Sequence, residues 1–239
     1  CYIFGDGVSI KYYELNNFND KVGIACNHFP FHKDFKKTNV KYAILSEPFY
    51  FMPFFDRLIK KRKVETKFSF NPISFYYRKI VKENPGINFF INLSNYLFFK
   101  RPNIFYLYKD ILSKKNNPNS ICKEFDCDKG VLRRAISLAV FLGFKNIYLV
   151  GCDYLMIPSR YGHWYEKVSG YYRDSKVDES YIDGFIQRLK QNTINFKLVV
   201  PKKVESDIDI ITYEELFKKQ TNFKKNHSLL SKENLKVFK

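Results

Sequence analysis

The sequence predicts an α/β fold in which a mostly parallel sheet carries helices on both faces. Short, fully apolar segments typical of buried strands alternate with segments whose apolar residues recur at helical spacing. Several apolar segments end at glycine or asparagine, as strands do where they meet a turn. This alternation is typical of a Rossmann-like domain, and 239 residues are enough to bury a large core.

The elements can be assigned in chain order. Strands are predicted over residues 1–4, 21–26, 42–45, 67–70, 147–150, 196–200 and 208–211, with one or two more within 87–111. Helices are predicted over residues 48–60, 71–81, 132–142, 180–191 and 213–219, and a short helix or turn over 10–18. We expect one nucleotide-binding domain over residues 1–219, with a small lid excursion within 154–178. Residues 220–239 are predicted to form a loose, basic tail.

Charge and cysteine content indicate the partners and the cellular location of the protein. The net charge of +17 favours solvated basic faces or attraction to an anionic membrane. No nucleic-acid-binding signature accompanies this charge, so we expect no nucleic-acid partner. The five cysteines match no disulfide scaffold, which is typical of a reduced, cytoplasmic protein, with the inner face of the membrane as an alternative location. The apolar segment 87–99 is too short and too rich in asparagine to span a bilayer.

A glycine loop follows the first predicted strand directly. Its residues are Gly5-Asp6-Gly7-Val8-Ser9. A Gly-x-Gly turn lets backbone N–H groups approach an anion, and Ser9 suits either a helix cap or a phosphate contact. We therefore assign Gly5, Asp6, Gly7 and Ser9 to nucleotide binding, with a plain turn as the alternative.

Two further polar residues follow predicted strands. Asn27 comes after the second strand, and Asp153 follows the strand that ends at Val150. Ligands of parallel α/β sheets bind beyond the carboxyl ends of the strands, so both residues are assigned to the nucleotide site. A turn-forming asparagine is an equally good interpretation of Asn27.

Residues 153–166 form a polar, aromatic loop that contains His163. A loop histidine suits general-base chemistry on a sugar hydroxyl, whereas a surface histidine without a role is the alternative. His28 and His32 lack a third ligand at a convincing spacing, and the acidic residues 124–128 match no metal motif. We therefore predict no metal site.

Three stretches of the chain carry a resemblance to a known family. They are residues 4–9 (FGDGVS), residues 25–29 (ACNHF) and residues 130–154, which contain the helix–strand unit. Together they resemble the bacterial CMP-sialic-acid-dependent sialyltransferases that decorate lipooligosaccharides. They also resemble the wider relatives of those enzymes, the motility-accessory and hydroxymethylpterin-diphosphokinase-like proteins.

The resemblance implies an inverting, metal-independent glycosyltransferase without a cofactor, acting in lipopolysaccharide biosynthesis. Its partners would be a nucleotide-sugar donor and a glycan or glycolipid acceptor. Separately, the basic charge favours peripheral contact with an anionic membrane, and the sequence is compatible with an oligomer. By the same resemblance, Gly130 and Val131 line the sugar pocket, Tyr161 contacts phosphate, and His163 deprotonates the acceptor hydroxyl.

The sequence departs from the family pattern at three places. Asp6 stands where the family usually carries asparagine, Val8 replaces a proline, and Asp128 and Lys129 replace small hydroxyl residues. Lys129 is assigned to a phosphate contact. Two alternatives to a glycosyltransferase stay open at this point. One is a diphosphokinase-like transferase that uses ATP and magnesium, and the other is a non-catalytic nucleotide-binding protein of glycan assembly.

Overall fold

The computed structural model describes residues 1–47, 50–52, 72–107, 130–167, 169–171, 186–187, 190, 193–225 and 228–230. Within them, eight parallel strands form one sheet and two short strands form a separate antiparallel hairpin. The strands of the sheet are β1 (Tyr2–Phe4), β2 (Gly23–Cys26), β3 (Val40–Leu45), β4 (Asn88–Asn92), β5 (Ile104–Leu107), β6 (Asn146–Val150), β9 (Asn195–Val200) and β10 (Ile210–Thr212). The hairpin consists of β7 (Arg160–Tyr161) and β8 (Gly170–Tyr171).

The order of the strands creates a switch point beside β1. The sheet runs β10-β9-β6-β1-β2-β3-β4-β5. The chain builds outward from β1 to β5, and then returns to place β6 on the other side of β1. Tyr2 therefore pairs with Gly23 of β2 on one side and with Tyr148 of β6 on the other. Ligand crevices of open parallel sheets lie at such points, beyond the strand ends.

Helices cover both faces of the sheet, as the sequence predicts. The described α-helices are α1 (Pro72–Glu83), α2 (Val131–Phe141) and α3 (Tyr213–Phe217). Buried residues of α1, such as Tyr77, join the same core as Phe4 and Phe89. Ala135 of α2 joins the core on the opposite face, together with Ile3. Alternation along β1 thus divides its side chains between two layers, which confirms the α/β class.

Most predicted elements match within a few residues. The predicted helix over 71–81 and the strands within 87–111 correspond to α1, β4 and β5. The segment 10–18 forms two 3₁₀ turns, Val8–Tyr12 and Leu15–Asn19. Residues 50 and 51 form a turn and residue 52 has no regular structure, so none of the three is helical as expected. The remaining residues of that predicted helix lie outside the described residues. The predicted strand 67–70 and most of the helix 180–191 also lie outside them.

The C-terminal segment is docked where it is described, which corrects the expectation of a loose tail. Leu229 and Leu230 are buried, and the backbone N–H of Lys33 donates to Leu229 O at 2.9 Å. Lys224 Nζ donates to a Glu14 carboxylate oxygen at 2.7 Å. The sequence favoured a tail because the segment is rich in lysine, but two adjacent leucines suffice to anchor it. No described helix is both long and apolar enough to cross a bilayer.

Candidate functional site

A cleft of about 280 Å³ opens at the switch point beside β1. It lies where the loops after β6, β1 and β2 meet, at the carboxyl edge of three adjacent strands. Its lining residues are Gly5, Asp6, Gly7, Cys26, Asn27, Val131, Leu132, Gly151, Cys152, Asp153, Tyr154, Arg160, Tyr161, Gly162 and His163. The sequence predicts most of the polar members of this set. The structure brings together residues that are more than a hundred positions apart.

The glycine loop packs directly against the loop that follows β6. Gly5 N donates to Val150 O at 2.7 Å, and Gly7 N donates to Gly151 O at 2.8 Å. A Cβ atom on Gly5 would lie 2.5 Å from Gly151 O, and one on Gly7 would lie 2.6 Å from the Asp153 carboxyl carbon. Both N–H groups already have backbone partners, so these glycines serve close packing and do not offer an anion nest.

Ser9 and Asp153 hold each other beneath the cleft. Ser9 N donates to Asp153 Oδ2 at 2.7 Å, and the Ser9 hydroxyl donates to Asp153 Oδ1. Both residues are buried, and burial raises the pKa of the Asp153 carboxyl. Ser9 therefore supports the loop instead of making the predicted phosphate contact. The Asp153 side chain thus binds at the start of the 3₁₀ turn Val8–Tyr12.

The Asp6 carboxylate also accepts hydrogen bonds from other protein groups. Its Oδ2 accepts the backbone N–H of His28 at 3.1 Å and lies 3.3 Å from His28 Nδ1. Its Oδ1 accepts the indole N–H of Trp164 at 3.4 Å. These contacts balance the carboxylate, so its repulsion of a phosphate in the cleft is reduced. They also give Asp6 a structural reason to replace an asparagine.

Asn27 lies at the end of β2 with a left-handed backbone, at φ 39°. Asparagine tolerates this conformation better than most residues. Its Oδ1 accepts the backbone N–H of Ser46 at 3.2 Å, which ties the ends of β2 and β3 together. Asn27 therefore shapes a turn and also lines the cleft, and its assignment to nucleotide binding stays a prediction.

His163 lies at the mouth of the cleft next to a carboxylate. Its Nδ1 lies 3.0 Å from Glu166 Oε2, and its backbone N–H donates to the same oxygen at 2.9 Å. The ring stacks on Tyr165, with centroids 5.1 Å apart and planes at 9°. The imidazole is exposed to about half of its surface, so it can reach a ligand in the cleft. A carboxylate at Nδ1 directs Nε2 toward acid–base chemistry.

The loop that carries His163 is fastened to the glycine loop. Gly7 and His163 pair as a short antiparallel bridge. Trp164 is fully buried, and its backbone N–H donates to Asp6 O at 3.0 Å. The Lys11 ammonium group donates to Glu166 O at 2.7 Å, and burial lowers the pKa of Lys11. The relative position of His163 and the glycine loop is thus fixed by several independent contacts.

Arg160 is the one lysine or arginine among the residues that line the cleft, within the described part of the chain. It lies on the β7–β8 hairpin beside Tyr161, inside the segment predicted as a lid. Its guanidinium group lies 5.6 Å from the centre of the Tyr12 ring, and its charge lowers the pKa of Asp153 against the larger effect of burial. Arg160 is not among the residues predicted from the sequence, although its position next to Tyr161 was a usable signal.

The remaining predicted residues divide into three groups. Val131 lines the cleft, whereas Gly130 is exposed at the start of α2 with φ 85°. Lys129 lies outside the described residues, as do the acidic residues 124–128. No group of three or more histidine, cysteine or acidic residues that could hold a metal occurs in the described ranges.

Solved structures of the sialyltransferase CST-II match the whole chain. A single-residue variant in complex with CMP is 13% identical, has a TM-score of 0.50, and the match covers 99% of this chain and 96% of that one. A complex with a trisaccharide acceptor and CMP is 15% identical, with a TM-score of 0.48 and coverage of 99% and 97%. A variant described as an α-2,3/8-sialyltransferase is 12% identical, with a TM-score of 0.47 and coverage of 100% and 99%.

The match to the CMP complex shows the fold of the chain. No protein-family model matches the sequence, and no curated protein matches it either. The class defined by fold and cleft is a single α/β domain with a cleft at the switch point of a parallel sheet. The fold is that of the CST-II sialyltransferase, as the resemblance of the three sequence stretches predicts.

Proposed function

We propose that this chain is a glycosyltransferase that moves a sugar from a CMP-linked donor to a hydroxyl group of a glycan or glycolipid acceptor. The observation that carries the proposal is the His163–Glu166 pair at the mouth of a cleft whose wall is the glycine loop. The CST-II structure that shares the fold was determined with CMP, which supports the choice of nucleotide.

The donor would lie along the glycine loop. Gly5 and Gly7 line the cleft and fit closely against the loop after β6, since a Cβ on either would collide with that loop. The amide group of Asn27 would read the nucleoside. Arg160 and the Tyr161 hydroxyl would hold the phosphate, since guanidinium groups bind phosphate oxygens with charge-assisted hydrogen bonds.

His163 would act on the acceptor. Nε2 takes the proton of the acceptor hydroxyl as its oxygen attacks the anomeric carbon, and the bond to CMP breaks with its electron pair on the phosphate oxygen. Glu166 would hold Nδ1 and stabilise the imidazolium that forms. A single displacement of this kind inverts the anomeric centre. His163 would take the proton, and Arg160 and Tyr161 would stabilise the negative charge that forms on the phosphate.

The first test is a thermal-shift panel of CMP, UMP, GMP and ATP. A ligand at a hundred times its Kd adds about 2.7 kcal/mol of stability, which gives a clear shift. We expect CMP to stabilise the protein most. Arg160→Gln should weaken CMP binding about tenfold or more, because a charge-assisted phosphate contact is lost. Lys167→Gln, an exposed lysine near the same loop, is the matched control and should bind CMP normally.

A preference for ATP, with turnover that EDTA abolishes, would favour the diphosphokinase-like alternative instead. The absence of a shift with every nucleotide would contradict the proposal.

The second test separates binding from chemistry. His163→Ala should lower kcat by about a hundredfold to ten-thousandfold while leaving the Kd of CMP nearly unchanged, since a general base contributes on that scale. Glu166→Gln should lower kcat less, because the amide still holds the ring at Nδ1 but no longer carries the charge that would stabilise an imidazolium. Turnover that survives His163→Ala would exclude this residue as the base.

A further inference from the structure

An exposed apolar turn follows β4. It comprises residues 93–99 and is continued by two basic residues, Lys100 and Arg101. Four large apolar side chains of this turn are exposed: Leu93 at 41%, Tyr96 at 44%, Leu97 at 82% and Phe98 at 40%. Leu97 is the most exposed of the large apolar side chains in the described part of the chain. A run of this kind is unusual on a protein surface that faces only water.

Two buried anchors hold the turn in place. Asn95 is completely buried, and its Oδ1 accepts the backbone N–H of Phe51 at 3.2 Å. Phe99, four residues later, is buried and stacks on the Phe51 ring with centroids 5.1 Å apart. Between these anchors Leu97 is 82% exposed, whereas Tyr96 and Phe98 keep about two fifths of their surface exposed and Tyr96 packs edge-on against Tyr106. Their exposure is therefore built into the fold.

The backbone of the turn has its hydrogen bonds within the segment. Tyr96 N donates to Leu93 O at 2.9 Å, Phe98 N donates to Asn95 O at 3.0 Å, and Phe99 N donates to the same oxygen at 3.1 Å. Backbone groups without partners are costly in an apolar medium. This turn can enter such a medium without exposing those three donors.

The charges beside the turn have one sign. Residues 87–107 contain Lys100 and Arg101 but no aspartate or glutamate. The Lys100 ammonium group lies 3.9 Å from the centre of the Tyr96 ring, which places a cation at the base of the apolar side chains. Aromatic and aliphatic side chains can enter the boundary of a bilayer, and adjacent lysine and arginine side chains can contact its anionic headgroups. The net charge of +17 on the whole chain would also attract it to an anionic bilayer.

We propose that this turn docks the protein on the surface of an anionic lipid bilayer. Tyr96, Leu97 and Phe98 enter the boundary between headgroups and acyl chains, and Lys100 and Arg101 contact the anionic headgroups. Because β4 is parallel to the other strands, the turn begins at the same edge of the sheet as the cleft. The docking proposal does not depend on the chemistry proposed for that cleft.

Co-sedimentation of the full chain with lipid vesicles tests the proposal. Vesicles of phosphatidylcholine and phosphatidylglycerol in equal amounts are compared with vesicles of phosphatidylcholine alone. The chain should bind the anionic vesicles, and added salt should weaken the binding. Lys100→Gln with Arg101→Gln should weaken it about thirtyfold, since each basic residue near such a surface contributes a factor of about five. Leu97→Ser with Phe98→Ser should weaken it about a hundredfold.

Phe141→Ser is the matched control. Phe141 is exposed to 51% on α2, so this variant loses an aromatic surface group outside the turn and should bind vesicles like the parent. Circular dichroism checks that each variant is folded. Equal binding of parent and turn variants would overturn the proposal, as would a parent that ignores anionic vesicles. Self-association in sedimentation velocity that the Leu97 and Phe98 changes abolish, without vesicle binding, would assign the turn to a second copy of the chain instead.

Discussion

Among single residues, His32 departs most from the behaviour expected of a surface histidine. It is 3% exposed, and its ring lies 5.0 Å from that of Trp164. Its Nδ1 accepts the backbone N–H of Asp34 at 3.1 Å, which is a role for the neutral ring. Burial lowers the pKa of His32 from 6.5 to about 3. The sequence pattern alone does not show that this ring is buried without charge.

Acid should therefore destabilise the protein through His32. Its folded pKa lies below the unfolded value, so between pH 6.5 and pH 3 the unfolded chain binds more protons and stability falls as the pH falls. Lowering the pH from 7.5 to 5.0 should cost about 2 kcal/mol from this residue, measured by urea denaturation.

His32→Asn, which keeps an acceptor near Nδ1, should remove that part of the pH dependence although it lowers stability at pH 7.5. His163→Asn is the control, since it removes a histidine from an exposed position. An unchanged pH dependence in the His32 variant would contradict the assignment.

Tertiary contacts give Asp6 a role that its position in the loop does not suggest. In the sequence it lies in a loop expected to face phosphate, where a carboxylate is unfavourable. In the structure it joins His28 and Trp164, two residues distant in the chain. Such a role cannot be read from the loop itself, because both partners come from other elements.

Among the elements, the two loops beside β1 determine the shape of the site. The sequence predicts the glycine loop and the turn after Val150 separately, each from its own glycine. Only the pairing of β1 with β6 brings them within contact distance. The reason for glycine at positions 5 and 7 is this contact, since neither residue has a positive φ that would require glycine by itself.

Replacing Gly7 by alanine should therefore destabilise the domain. Its Cβ would lie 2.6 Å from Gly151 O, which is backbone and cannot rotate away. We expect a loss of about 1–3 kcal/mol in the free energy of unfolding, as for other overpacked sites. Gly86→Ala is the matched control, because no atom lies within 4 Å of its Cβ, and it should change stability by less than about 0.5 kcal/mol. Equal stability of the two variants would refute the close-packing interpretation.

At the scale of the whole molecule, the C-terminal segment returns to the beginning of the chain. Asn222 N donates to Tyr12 O at 3.1 Å, and Lys224 N donates to Lys11 O at 2.8 Å. Lys11 in turn holds the loop of His163 through Glu166. The segment thus supports the candidate site from outside the sheet, and its sequence gave little sign of this apart from the Leu229–Leu230 pair.

Truncation of the buried leucine should show how much the segment contributes. Leu229 is completely buried, so Leu229→Ala should lower the free energy of unfolding by about 2–5 kcal/mol, as buried leucines do. Lys225→Ala, an exposed neighbour, should change it by less than about 0.5 kcal/mol. Chemical denaturation measures both. A Leu229 variant as stable as the control would support the loose tail that the sequence predicts.

The sequence by itself determined the α/β class, most strand positions and the loops that line the cleft. Those properties follow from local apolar patterns and from glycine and asparagine at strand ends, which can be read a few residues at a time. The tertiary structure alone decided that Ser9 and Asp153 bind each other, that Arg160 faces the cleft, and that Tyr96 to Phe98 lie exposed. These depend on which distant segments the sheet order brings together, and a local pattern carries no information about that order.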